Sequence, residues 1–203
     1  MKLGLTLPKS RRKRARNRIR PRRRLSFQSL ESRQLLSGVP LFSEGVNYSL
    51  SPIDATESSG EKPQSKVWQY DDQWWAVIPT GTGTWLWQLE QQTWNPVLQL
   101  SERTDVQADV KPLNDEAHIL LFGGTSSQLV SLEYNDADST YQPWSANPNP
   151  VSVTLSSGVE TATLDIDSSD RMWIASDAGS TVNVRYSDYP YNNFSAPITV
   201  GSG

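Results

Sequence analysis

The chain has 203 residues and a formal net charge of −3, but the charges are distributed very unevenly along it. Residues 1–40 hold 13 basic side chains and one acidic one, whereas residues 41–203 hold 6 basic and 21 acidic side chains. The absence of cysteine excludes a disulfide framework, a thiol nucleophile and a cysteine-ligated metal site. So steep a charge asymmetry indicates two parts with different tasks.

The N-terminal segment, residues 1–40, is dominated by a basic run between Arg11 and Arg24. Such a run predicts a disordered, solvated tail. It leaves open a nucleic-acid-binding arm, an export signal, or an N-terminus without a targeting role. The acidic remainder would repel a phosphate backbone, so nucleic-acid binding would depend on the tail alone. A typical secretory peptide has an apolar core of roughly 7–15 residues, which this segment lacks.

Residues 41–65 are polar, rich in Ser, Gly and Pro, and without periodicity, so they predict a linker. We expect no packed structure in residues 1–60, apart from a short helix over Ser26–Leu36. The chain has no run of about 18 apolar residues, so no transmembrane helix is predicted.

Residues 66–203 predict an all-β fold. Short alternating apolar runs are separated by Asp, Gly, Ser, Thr and Asn, and all eight tryptophans lie here. The pattern repeats three times, and we place the units at about 66–101, 108–145 and 160–200. Each unit predicts four strands and has the size of a propeller blade. The predicted fold class is therefore an incomplete or open β-propeller.

Aromatic residues and prolines recur within the three units at similar spacings. An aromatic residue lies in the second strand, another precedes the fourth strand, and a proline follows it. These structural repeat positions are Trp75, Trp94 and Pro96, then Phe122, Tyr141 and Pro143, then Trp173, Phe194 and Pro197. Proline is tolerated at the start of an outer strand, and the aromatic residue before it can wedge against a neighbouring blade.

Three blades fall short of the four to eight that close a propeller. An open set of three would leave two apolar faces in water, at a cost of roughly 25 cal/mol per Å². We therefore expect further blades in a parent chain, or assembly with other chains.

The turns before the fourth strands resemble the Asp-box of sialidase-like β-propellers, which reads roughly Ser-x-Asp-x-Gly-x-Thr-Trp. The second unit keeps Asp136, Asp138, Thr140 and Tyr141, while the others keep fewer positions. The resemblance implies a propeller fold. It implies no catalysis, because the Asp-box is a structural turn in that family.

Residues 30–36, "LESRQLL", resemble the Leu-Glu-Pro-Arg-x-Leu-Leu segment that opens many long exported proteins of planctomycete bacteria. Ser32 replaces the proline of that segment. The matching positions of this targeting motif are Leu30, Glu31, Arg33, Leu35 and Leu36. The resemblance implies secretion or a cell-surface location.

Side chains that could carry chemistry are few. His118, the single histidine, is interpreted as a structural strand-end residue. Sialidase chemistry, as the resemblance implies it, needs three arginines around a carboxylate, together with a Tyr/Glu pair and an acid. The repeat region offers only Arg103, Arg171 and Arg185, with Arg171 at a strand entry and Arg185 in mid-strand beside Tyr186, so a complete triad is not predicted.

Two other groups of side chains have a functional and a structural interpretation. Acidic turns could bind calcium, although turn formation is the commoner role of aspartate. Exposed tryptophans could stack on sugar rings, although packing is the simpler explanation. The acidic turn residues are Asp136, Asp138, Asp165, Asp167 and Asp170. The tryptophans are Trp74, Trp85, Trp87 and Trp94.

The sequence therefore predicts a secreted or cell-surface, non-enzymatic propeller-type module with a binding or structural role. No catalytic, cofactor or metal residue is assigned, and no cofactor is expected. Expected partners are carbohydrate or another surface protein, and not nucleic acid. The alternatives are a fragment of a sialidase-like, glycan-active enzyme and a nucleic-acid-binding protein.

Overall fold

Residues 50–57 and 65–203 are described by a computed structural model of the chain, and all of them belong to the unit Asn47–Gly203. Within these ranges the ordered elements are β-strands and turns, which confirms the predicted all-β fold class. The basic run and the "LESRQLL" motif lie outside the described residues.

In the described ranges, thirteen strands form three antiparallel sheets in chain order. The first sheet contains β1 (Val67–Tyr70), β2 (Gln73–Thr80), β3 (Gly83–Glu90) and β4 (Thr93–Ser101). The second contains β5 (Gln107–Leu113), β6 (Glu116–Phe122), β7 (Ser127–Asn135), β8 (Thr140–Pro143) and β9 (Val151–Val153). The third contains β10 (Ala162–Ile166), β11 (Met172–Ala178), β12 (Thr181–Ser187) and β13 (Ile198–Ser202).

Each sheet is a meander in which successive strands pair, so the open, propeller-like fold is confirmed. The second sheet also has a strand that the sequence did not predict. β8 pairs with the C-terminal half of β7, and β9 pairs with the N-terminal half, over Ser127–Leu129. Together the two short strands replace one longer outer strand.

Local turn chemistry explains why the sequence forms these hairpins. Asp71 and Asp72, between β1 and β2, both have positive φ angles of 50° and 57°. Asn114, in the matching turn between β5 and β6, has a φ of 54°. Asp and Asn tolerate this left-handed conformation better than most residues, and it is the conformation that two-residue hairpin turns require.

The three sheets stack face to face, and the middle sheet is buried on both sides. In β6, Ile119 and Leu121 belong to the core with the first sheet, whereas Leu120 and Phe122 belong to the core with the third. We call the face that a sheet turns toward the following sheet its forward face, and the opposite one its backward face. Burial on both faces explains why β6 is almost continuously apolar.

Among the repeat positions in the second strands, two are equivalent and one is not. Trp75 is the third residue of β2 and is fully buried on the forward face of its sheet. Trp173 lies near the start of β11 on the forward face, because its neighbours Met172 and Ile174 are buried on the backward face. The third residue of β6, however, is His118, and Phe122 ends that strand. Phe122 has the same spacing to Tyr141 as Trp75 has to Trp94, but it does not occupy the equivalent position in its strand.

The repeat positions near the fourth strands are more alike. Trp94 and Tyr141 are each the second residue of the outer strand, in β4 and β8. Phe194 precedes β13 and packs against the core between the second and third sheets. Pro96 lies within β4, and Pro143 is the last residue of β8. Pro197 lies just before β13.

Candidate functional site: the tryptophan face of the first sheet

Four of the eight tryptophans share the backward face of the first sheet. Residues that lie directly opposite each other in antiparallel strands point to the same side of a sheet. Trp74 lies opposite Leu89, which in turn lies opposite Trp94. Trp87 lies opposite Ala76 and Trp85 opposite Ile78, in the same alternation as Trp74. We call this surface the tryptophan face; it comprises Trp74, Ala76, Ile78, Trp85, Trp87, Leu89 and Trp94.

The tryptophan face is half-buried rather than fully exposed. The four tryptophan side chains are partly buried, and Ala76 between them is completely covered. Trp87 Nε1 donates to the carbonyl oxygen of Ile78 at 3.4 Å. Trp85 Nε1 is buried with no hydrogen-bond partner among the described residues. An unpaired buried donor of this kind costs about 1–3 kcal/mol.

A short N-terminal segment, Leu50–Glu57, is attached to both ends of the first sheet, and we call it the strap. Ser51 N donates to the carbonyl oxygen of Gln92 in the β3–β4 turn at one end. Thr56 N donates to the carbonyl oxygen of Pro79 at the other end, where Ala55 forms a β-bridge with Thr80. The second sheet packs on the forward face, so the strap crosses the tryptophan face. These residues fall within the predicted linker, and the expectation that residues 1–60 lack packed structure is wrong for them.

The three arginines of the repeat region are held by three different sets of partners. Arg103 forms two hydrogen bonds with Asp105, at 2.9 and 3.0 Å, and also donates to the carbonyl oxygens of Gly123 and Ser126. Arg171 donates to Asp188 at 2.7 Å and lies 4.5 Å above the Tyr186 ring.

Arg185 donates to the carbonyl oxygen of Ser195. Because Arg185 and Tyr186 are consecutive in β12, their side chains point to opposite faces of the third sheet. Arg171 and Arg185 therefore do not meet around one ligand.

His118 is a core residue and does not lie at a strand end as the sequence suggested. Its Nδ1 lies 2.9 Å from Ser131 Oγ, and its ring packs edge-on against Trp144 and Tyr191. Burial lowers the pKa of His118 to about 4, so the ring is neutral at pH 7. Its Nε2 lies 3.3 Å from a carboxylate oxygen of Glu116, without hydrogen-bond geometry. Burial in turn raises the pKa of Glu116.

Among the acidic residues, Asp167 and Asp138 accept hydrogen bonds within their own hairpins. Asp167 accepts hydrogen bonds from Trp173 Nε1, Ser169 N and Arg171 N, and these bonds lower its pKa. Asp138 accepts a hydrogen bond from Asn135 in the turn between β7 and β8. Within residues 50–57 and 65–203, no three His, Asp or Glu side chains are grouped closely enough to hold a metal ion.

Sequence inspection missed Asp109, which connects all three sheets. Its carboxylate, almost fully buried on β5, accepts a hydrogen bond from Ser65 N at 2.8 Å, just before β1. On the other side it accepts hydrogen bonds from Thr163 Oγ1 at 2.7 Å and Leu164 N at 2.9 Å, both on β10. No sequence signal distinguished this aspartate, because its partners are distant in the chain.

Beside Asp109 lies an open groove of about 390 Å³ between β5 and β10. Lys111 and Asp165 form an ion pair of 2.7 Å at this groove, and both side chains are at least one-third exposed. Such an exposed pair contributes little to stability, about 0–1 kcal/mol. The charges of the groove are thus largely paired with one another.

Comparison with known proteins shows similarity to solved structures, and not to family models or curated proteins. No protein-family model matches this chain, and no curated protein matches it. Among solved structures, the chain is similar to the GH43 endo-arabinanase from Bacillus licheniformis, at 12% identity and a TM-score of 0.43. The similarity covers 71% of this chain and 57% of the arabinanase chain.

In the described ranges, no helix has the length and apolar character needed to cross a bilayer.

Proposed function

We propose that this chain is an exported or cell-surface propeller-type module with a binding or structural role, and that it is not an enzyme. The observation that carries the proposal is the tryptophan face, where four large aromatic side chains share one surface of the first sheet. Apolar patches of this kind that remain partly exposed mark protein-interaction sites or ligand-binding grooves, and all four rings are only partly buried. The partner would be carbohydrate or another surface protein.

The charged side chains support a non-enzymatic role. A catalytic centre brings an acid, a base or an electrophile together at one pocket. Here Arg103, Arg171 and Arg185 have separate local partners, and Asp109 and Asp167 are occupied by hydrogen bonds within the fold. The alternative, a fragment of a sialidase-like enzyme, would need its reacting groups to converge.

An assay of glycan cleavage tests this part of the proposal. The full chain is incubated with a panel of soluble polysaccharides, including arabinan and sialylated glycans, and the release of reducing ends and free sialic acid is measured. We expect no release above that of a heat-denatured control. Reproducible release by the full chain would overturn the non-enzymatic role. An Asp109→Asn variant serves as the folding control. Release that changes in proportion to the folded fraction of that variant comes from the folded chain and not from a contaminating enzyme.

Export is tested separately with the N-terminal segment. Residues 1–40 are fused to a reporter enzyme in a planctomycete host, and the reporter is assayed outside the cytoplasm. We expect export with the native segment and its loss when Leu35 and Leu36 are changed to Asp. A matched variant carrying Ser37→Asp tests whether the motif, and not any added charge, is responsible. Equal reporter distribution for all three fusions would refute export through this motif.

A further inference from the structure

An open groove lies between the first and second sheets, beside their outer strands. Its volume is about 670 Å³, within the roughly 300–1,000 Å³ of typical ligand sites. One wall is the end of β4 with the residues that follow it, 100–103, and the other is β9 with the residues on either side of it. The turn between β6 and β7 also lines the groove, through Thr125 and Ser126. Both walls therefore belong to sheets that the structure describes.

The wall formed by β9 is polar because of the register between β7 and β9. Val153 is buried in the core with the third sheet, and Val151 packs against that core. Ser152, between them, therefore points toward the first sheet, and so does Gln128, which lies directly opposite it on β7. The strand that the sequence did not predict thus places a hydroxyl group and an amide group in the groove.

Several polar side chains of the groove are not used by the fold. Gln128 is half-buried, yet its amide makes no hydrogen bond to another described residue. Within the same described ranges, four exposed side chains of the groove also make none; they are Glu102, Thr125, Ser152 and Thr154. Polar groups that the fold leaves unpaired at a groove are available to a ligand.

Arg103 fixes the corner where the two walls meet. Its guanidinium makes two hydrogen bonds with Asp105 and donates to the carbonyl oxygens of Gly123 and Ser126. A β-carbon at Gly123 would lie 2.7 Å from an Nη atom of Arg103, so only glycine permits this close approach. These bonds connect the end of the first sheet to the β6–β7 turn of the second. A wall that is fixed before binding loses less entropy when a ligand binds.

The charge and the hydrogen-bonding groups of the groove indicate the class of ligand. Arg103 is paired with Asp105, whereas Glu102 forms no ion pair with any described residue, so the groove carries one uncompensated negative charge. This charge would repel an anionic ligand and not a neutral one. Hydroxyl and amide side chains both donate and accept hydrogen bonds, as each hydroxyl group of a sugar does.

We propose that this groove binds a neutral oligosaccharide, whose hydroxyl groups pair with Gln128, Ser152 and Thr154, and that Glu102 excludes glycans carrying uronic acids. The inference rests on the proposed binding role of the chain. It assigns carbohydrate to the forward side of the first sheet, whereas the tryptophan face is the backward side. No aromatic ring is among the described residues that line the groove, so hydrogen bonds supply the affinity.

Isothermal titration calorimetry of the full chain tests the proposal. The probes are hexasaccharides of β-1,4-glucan, β-1,4-xylan and β-1,4-mannan, with a galacturonic acid hexamer as the anionic probe, each up to about 10 mM. We expect saturable binding of at least one neutral probe and at least roughly fivefold weaker binding of the galacturonate. Gln128→Ala removes one hydrogen-bond partner and should weaken neutral binding roughly 3- to 10-fold. Ser152→Leu fills the groove from an exposed position and should abolish binding.

Glu102→Gln tests the charge separately from the shape of the groove. The variant keeps the length of the side chain and removes its charge, so the affinity for the neutral probe should be nearly unchanged. The affinity for galacturonate should rise roughly fivefold. Galacturonate that binds the wild type as tightly as the neutral probes would overturn the selectivity given to Glu102.

Controls separate loss of the site from loss of the fold. Asn192→Ala changes an exposed amide on the β12–β13 connection of the third sheet and should bind like the wild type. Thermal melts establish that each variant is folded; if S152L is not, Q128A decides. Neutral binding that neither Q128A nor S152L weakens would exclude the groove and leave a carbohydrate partner for the proposed function. A wild type that binds no neutral probe would overturn the assignment of carbohydrate to the groove, and a protein partner would remain for the proposed function.

Discussion

At the scale of single residues, Asp109 illustrates how one buried carboxylate can organise a stack of sheets. It receives hydrogen bonds from the segment before β1 and from two groups on β10, while it belongs to β5 itself. A carboxylate accepts several hydrogen bonds at once, and each charge-assisted bond contributes about 1.5–3 kcal/mol. Asp109 is therefore a structural residue at the place where the inner strands of the three sheets meet.

Replacing Asp109 with alanine should lower the free energy of unfolding by about 3 kcal/mol or more, because two backbone N–H groups lose their acceptor. Asp109→Asn keeps one acceptor oxygen and should cost less. Asp165→Asn is the matched control, since Asp165 is 73% exposed and its pair with Lys111 is a surface salt bridge. Urea unfolding followed by tryptophan fluorescence measures all three. Equal effects of D109A and D165N would contradict the role given to Asp109.

His118 makes stability depend on pH. Burial lowers its pKa to about 4 in the folded chain, against the ordinary histidine value of 6.5 in an unfolded chain. Between these two pH values the unfolded state binds a proton that the folded state does not bind. The free energy of unfolding therefore falls as the pH is lowered from 6.5 to 4. The difference amounts to about 3 kcal/mol at most. Glu116 acts in the opposite direction because burial raises its pKa.

A His118→Gln variant isolates the histidine from the other titrating groups. We expect the wild type to lose more unfolding free energy than H118Q between pH 6.5 and 4, after each is referred to its own value at pH 7. Urea titrations at several pH values give both curves. Parallel curves for the two proteins would show that His118 does not account for the acid sensitivity.

At the scale of elements, hairpins could be predicted from the sequence because their signals are local. Polar turns flanked by alternating apolar runs located the strand pairs of all three sheets, including β1–β2 and β5–β6. The short strand β9 could not be found this way, because its pairing with Ser127–Leu129 depends on where β8 stops. The strap looked like a linker, since its bonds to Pro79 and Gln92 leave no periodic pattern.

The sequence also predicted the tryptophans of the candidate site as a group, but could not show that they share one face. That arrangement depends on the register between β2, β3 and β4, which includes two bulges. His118 was misjudged for a related reason. Its place in β6 corresponds to that of Trp75 in β2, but the chemical difference between the two side chains concealed the equivalence.

The β1–β2 turn offers a test of local turn chemistry. Asp72 is exposed and has a positive φ, so Asp72→Gly should raise the free energy of unfolding by up to about 1 kcal/mol. The neighbouring Asp71 also has positive φ, but it accepts a hydrogen bond from Tyr134 OH at 2.7 Å. Asp71→Gly should therefore be neutral or destabilising. Chemical denaturation of both variants measures the contrast, and a stabilising D71G larger than D72G would contradict this account.

At the scale of the whole molecule, the middle sheet determines how the stack behaves. Its strand β6 contributes Ile119 to one core and Leu120 to the other, so neither core is complete without it. The first and third sheets each have one face in a core and one face at an end of the stack.

Sharing of β6 predicts that the described sheets unfold together. Ile119 and Leu120 are both fully buried, and changing either to alanine should cost about 2–5 kcal/mol through lost contacts and a cavity. Because each loss is transmitted through the same strand, I119A and L120A should lower one common thermal transition. Val182→Ala, at a side chain 45% exposed on the third sheet, should change the free energy of unfolding far less. Differential scanning calorimetry decides the matter: two resolved transitions, one shifted by I119A and the other by L120A, would mean that the two cores are independent.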